Sequence, residues 1–133
     1  MRSVLSVLLV VLVGSGCSGT LDPQPIAGRW GLDLSQVESS WEMDLTAHGS
    51  VIVGTGTWYG EACCSGTLAV TGSIKGRAVH LDINQTSTLQ GHGIEGVSHF
   101  DGVLVSPFIL EGTIVRDGSN TPPSPITYQR LNT

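Results

Sequence analysis

The sequence predicts an all-β fold, an antiparallel up-and-down meander of about eight strands closed into a small barrel. Three observations predict it. Apolar residues recur at every second position in one short segment after another. No stretch carries an i, i+3, i+4 apolar stripe long enough for a helix. Glycine repeatedly takes the apolar parity of these segments, where a larger side chain would otherwise pack.

The segments follow in order. Trp30, Leu32 and Leu34 alternate with Arg29 and Asp33. Trp41, Met43, Leu45 and Ala47 alternate with Glu42, Asp44 and Thr46, and His48-Gly49-Ser50 turns the chain. Ile52, Gly54, Gly56 and Trp58 form the third inward row, and Leu68, Val70 and Gly72 the fourth. After a turn at Lys75-Gly76 come Val79, Leu81 and Ile83, and then a polar loop is expected from Gln85 to Val97. Phe100, Gly102 and Leu104 precede a turn at Ser106-Pro107. Phe108, Leu110, Gly112 and Ile114 follow, then a loop from Asp117 to Pro125, and last Ile126 and Tyr128. Phe100-Asp101-Gly102-Val103-Leu104 and Leu110-Glu111-Gly112-Thr113-Ile114 share one pattern and read as two arms of a hairpin.

Charge placement agrees with one dry and one wet face. Asp33, Glu42, Asp44, His80, Asp82, Asp101 and Glu111 all take the non-apolar parity. Arg77 and Arg116 have inward parity but stand at strand ends, where a rim can solvate them. Arg130 follows Ile126 and Tyr128 on the inward parity. Inward glycines at 54, 56, 72, 102 and 112 each cost about 0.5–1 kcal/mol relative to alanine. Curvature is the offsetting gain, because a strand bends sharply where it lacks a side chain, and this favours a barrel over a flat sandwich.

The first segment has a different character. Arg2 precedes an apolar run, Val4 to Val13, broken by Ser6 and followed by Gly14, Ser15 and Gly16, which is the pattern of an export signal. Ten residues make about 15 Å of helix, half of the ~30 Å of a bilayer core, so a permanent span is not expected. Ser15-Gly16-Cys17 resembles the bacterial lipobox, with Gly14 standing where that family prefers Leu. The resemblance implies a diacylglycerol thioether on Cys17 and an outer-membrane lipoprotein facing the periplasm or the surface. An ordinary signal peptide and a secreted soluble protein is the alternative. The expected organisation is a signal peptide at 1–16, a lipidated N-terminus and tether at 17–26 with Pro23 and Pro25 keeping it extended, and the barrel at 27–133.

Gly28-Arg29-Trp30 resembles the Gly-x-Trp signature of lipocalins and related calycins, and Arg130 matches the inward arginine of their last strand. The resemblance implies that Trp30 and Arg130 close one end of an eight-stranded barrel, with the guanidinium on the indole. The family's Thr-Asp-Tyr motif is missing, and the first loop is short. The chain is also similar to small glycine-rich bacterial lipoproteins.

The functional classes narrow by what the chain lacks. A net charge of −5 with six basic residues and no basic run excludes a nucleic-acid binder of the phosphate-neutralising kind. His80 and Asp82 share one strand face and suit a general-base pair, but no nucleophile or oxyanion site converges on them, so a solvated face is the plainer reading. His92 and His99 lie in a glycine-rich stretch with no third metal ligand evident, so no metal and no cofactor is expected. Ser65 sits in no Gly-x-Ser-x-Gly setting, and Cys-x-x-Cys is absent. Cys63 and Cys64 are a candidate disulfide pair in an oxidising compartment, with free thiols or a bridge to a second copy as rivals.

The expectation is therefore a non-enzymatic envelope protein. Its membrane contact is the lipid on Cys17, and its partner is a small apolar ligand or another protein. Trp41, Trp58, Phe100 and Tyr128 are the candidate ligand-facing residues. The alternative is a periplasmic protease inhibitor or an envelope interaction protein. Small eight-stranded bacterial protease inhibitors resemble this architecture, and Leu21 to Ile26 would be the blocking segment.

Overall fold

The computed structural model describes residues 26–32, 39–60, 64–87 and 95–131. The expected signal segment, Cys17, Cys63, His92, Asp33, Leu34 and all of the tether before Ile26 lie outside the described residues. Eight strands follow one another: β1 (Gly28–Leu32), β2 (Ser39–His48), β3 (Val51–Gly60), β4 (Cys64–Lys75), β5 (Ala78–Ser87), β6 (Gly96–Ser106), β7 (Ile109–Arg116) and β8 (Ser124–Arg130). Each pairs antiparallel with the next, and β8 returns to β1 to close the barrel. The fold is the predicted all-β meander.

Period-two patterning becomes an inside and an outside. Met43, Leu45, Ile52, Leu68, Val70, Leu81, Ile83, Phe100 and Leu110 are buried, and together with Trp30 and Tyr128 they belong to one continuous core. Fully burying a side chain of this size stabilises by about 1.5–3 kcal/mol, so the shared interior is the main force holding the sheet closed. The alternate residues Glu42, Asp44, Thr71, Asn84 and Glu111 face solvent.

The inward glycines let neighbouring strands press together. A Cβ on Gly54, Gly56, Gly72, Gly102 or Gly112 would lie 2.0–2.4 Å from a carbonyl oxygen of an adjacent strand. Gly66 is the tightest case, with the Thr86 oxygen 1.8 Å from the Cβ position and the Trp58 indole nitrogen 2.5 Å from it. Only hydrogen fits there, and the strands coil where it does. Gly49 (φ 61°) and Gly76 (φ 63°) open the two-residue turns after β2 and β4. Positive φ at the first central position is the type II′ hairpin geometry that glycine favours.

Several boundaries differ from expectation: β8 begins at Ser124, inside the expected 117–125 loop, and Phe108, expected inward, falls in the turn before β7 and is exposed. The sequence predicts a loop from Gln85, yet β5 runs to Ser87 and β6 starts at Gly96, with Gln85 paired to Leu68 and Gly96. Backbone pairing on both sides carries the ladder past the last apolar residue, and the inward Gln85 is buried.

Candidate functional site

The alternating strand directions give the barrel two unlike ends. The turns at 49–50, 76–77 and 107–108 lie at one end, where β1 begins and β8 finishes. The other end is formed where β1, β3, β5 and β7 finish and β2, β4, β6 and β8 begin.

Trp30 and Arg130 close the tight-turn end. Trp30 is fully buried, and its indole nitrogen donates to the Ile26 carbonyl at 2.8 Å. The Arg130 guanidinium carbon lies 4.5 Å from the Trp30 ring centre, well within cation–π range. Its Nη1 donates to the Ala27 carbonyl and its Nε to the Pro107 carbonyl at 2.8 Å. The tether end, β1, the β6–β7 turn and β8 are thereby tied at one point. Gly28 makes the fit possible, since its φ is 127° and a Cβ there would meet Arg130 Nη1 at 2.4 Å. Desolvation lowers the Arg130 pKa, yet a guanidinium keeps its charge at any ordinary pH. Ile26, read as the last tether residue, is buried in the core.

The wide end is lined differently. Trp41 and Trp58 are register partners pointing inward, the first half-buried and the second buried, and Trp58 Nε1 donates to the Thr86 carbonyl at 2.8 Å. Buried Gln85 and Ser98 also point inward here, and Arg116 at the rim donates to the Glu95 carbonyl at 2.7 Å. Cys64 is buried and disulfide-bonded; the sequence leaves Cys17 and Cys63 as its candidate partners, both outside the described residues. The other two candidate ligand-facing residues stand deeper. Phe100 and Tyr128 are fully buried and meet edge to face, with ring centres 5.4 Å apart. Tyr128 Oη has no hydrogen-bond partner among the described residues, and burial pushes its pKa up.

A second polar group occupies the outer face of β5 and β6. His80-Leu81-Asp82 and His99-Phe100-Asp101 run antiparallel, so His80 stands opposite Asp101 and Asp82 opposite His99. His80 Nδ1 meets Asp101 at 2.7 Å, and its Nε2 meets Asp82 at 3.0 Å. His99 Nδ1 meets the same Asp82 oxygen at 2.5 Å, and its Nε2 meets Asp117 at 2.5 Å. The two rings stack 6.3 Å apart, inclined by 14°. Ionised carboxylates only accept hydrogen bonds, so this arrangement favours the protonated form of both rings. The hydrogen bond to Asp101 is the main cause raising the His80 pKa, and the one to Asp82 the main cause raising that of His99. The bond from His99 is the main cause lowering the Asp82 pKa.

The sequence pairs His80 with Asp82 and His99 with His92, and shows no third ligand near His99. The register brings one ligand atom from each of the three within 4.8 Å of the others. Asp101 and Asp117 were not read as part of any site. The signal that would have found most of it is the twice-repeated His-x-Asp on consecutive strands. No family model, curated protein or solved structure matches the chain.

Proposed function

We propose that the chain is an exported, lipid-anchored cell-envelope protein that acts as a non-enzymatic binding module, taking a small apolar ligand at its wide end. The observation that carries this reading is the contrast in lining along the barrel. Aromatic and polar side chains meet at the wide end, while the Trp30–Arg130 contact seals the other. That contact also supports the calycin likeness, since Trp30 and Arg130 stand where the resemblance implies a plug. An eight-stranded interior is just wide enough for side chains to fill, and Phe100 and Tyr128 already fill its middle. A ligand would therefore sit above them, against Trp41 and Trp58. The tether joins at the sealed end, so an anchor at Cys17 would turn the wide end away from the membrane.

Native mass spectrometry of the protein purified from its own envelope tests both halves. The expected species carries a diacylglycerol adduct on Cys17 and a retained apolar molecule, and it loses the retained molecule in a Trp41→Ala variant. An unmodified Cys17, or Cys17 bridged to Cys64, removes the anchor. Retention unchanged by Trp41→Ala removes the ligand site.

A further inference from the structure

We propose that His80, Asp82 and His99 form a binding site for one divalent transition-metal ion of the zinc class on the outer face of the barrel, clipping β5 to β6. The site is separate from the wide end and does not depend on a ligand there.

Ligand type is the first support. Two imidazole nitrogens and one carboxylate oxygen form a borderline donor set, suited to zinc, nickel or copper and unsuited to magnesium or calcium, which prefer all-oxygen shells. Geometry is the second. The Asp82 oxygen already lies 3.0 Å from His80 Nε2 and 2.5 Å from His99 Nδ1, and all three donor atoms fall within 4.8 Å of one another. A tetrahedral ion at about 2.1 Å from each would hold them roughly 3.4 Å apart, so shifts of about an ångström in exposed side chains suffice.

The third support is what stands behind the ligands. Histidines that bind a metal nearly always donate their other ring N–H to a carboxylate, which fixes the tautomer and aims the free nitrogen. Here Asp101 holds His80 Nδ1 and Asp117 holds His99 Nε2, leaving His80 Nε2 and His99 Nδ1 turned toward the shared Asp82. Both rings are thus oriented from outside, by carboxylates on β6 and just after β7. A ring nitrogen that ligates the ion carries no proton, so any proton on the side facing Asp82 leaves to solvent on binding. Three protein ligands leave a fourth position for water. With the ligand side chains 32–41% exposed, the ion exchanges freely with solvent.

The test is calorimetric titration of the metal-stripped full chain, in detergent and without reductant, with zinc chloride, using magnesium chloride as the control. One zinc per chain with micromolar or tighter affinity is expected, and no magnesium. The His80→Asn/His99→Asn double variant should lose binding, while His48→Asn, on an exposed histidine at the end of β2, should not change it. Asp101→Asn should weaken binding about ten- to hundredfold. Absence of saturable zinc binding by the parent chain overturns the proposal, as does equal affinity in the double variant. Should the double variant lose its strand signature in circular dichroism, Asp101→Asn decides, and unchanged affinity there overturns it equally.

Discussion

The two ends of the barrel are built from one repeating pattern and differ in what the strands deliver to them. At the tight-turn end the last inward residues are Trp30 and Arg130, and three backbone carbonyls and one indole leave little unpaired. At the wide end the last inward residues are Trp41, Trp58, Gln85, Ser98 and Arg116, a mixture of ring faces and polar heads. The difference teaches that one end is closed by a charge stacked on a ring and tied to backbone carbonyls, whereas the other buries neutral polar heads, Gln85 and Ser98, beneath the half-buried ring of Trp41.

The largest expected effect tests the sealed end. Trp30→Ala should destabilise by about 3–5 kcal/mol in chemical denaturation, as for a fully buried aromatic. The half-buried Trp41 changed to Ala should lose distinctly less. Equal losses would erase the distinction between the ends. Next comes Gly66→Ala, which places a methyl group against the Thr86 carbonyl and the Trp58 indole and should destabilise by about 1–3 kcal/mol or more. Gly60→Ala at the same end meets nothing closer than 3.8 Å and should stay within about 0.5 kcal/mol. A mild Gly66→Ala would mean that curvature there is not set by the missing side chain. Arg130→Met keeps the volume but strips donors from the Ala27 and Pro107 carbonyls, for an expected loss of about 1–3 kcal/mol, read from the shift in denaturation midpoint. The smallest effect is Glu42→Gln, which breaks the exposed 2.8 Å pair with Arg29 and should move stability by no more than about 1 kcal/mol. A larger loss there would show that the outer face shares in holding the fold.

The sequence carried the strands well, because burial on one face imposes a two-residue period along most of each strand. It carried the sealed end too, since an inward charge at position 130 has few explanations once a partner ring stands at position 30. Gly66 is hard to see in the sequence because the apolar alternation of β4 becomes regular only from Leu68, after the two cysteines. The polar ends of β5 and β6 read as loop because hydrophobicity fades before pairing does. The outer cluster was half legible. His80 and Asp82 lie on one strand, but their meeting with His99 and Asp101 depends on register, which one residue of slip would destroy. Asp117 joins from beyond the end of β7, and nothing local marks it.

The seam between β1 and β8 joins parts of the chain that are synthesised far apart, and the Arg130 bond to Ala27 spans 103 positions. A polypeptide emerging from its N-terminus carries β1 with one flank bare until position 130 arrives. That closing contact carries the longest loop of the fold, and without it β1 and β8 would each present a bare edge to another copy. Shortening by a few residues at the far end would therefore be a whole-molecule injury.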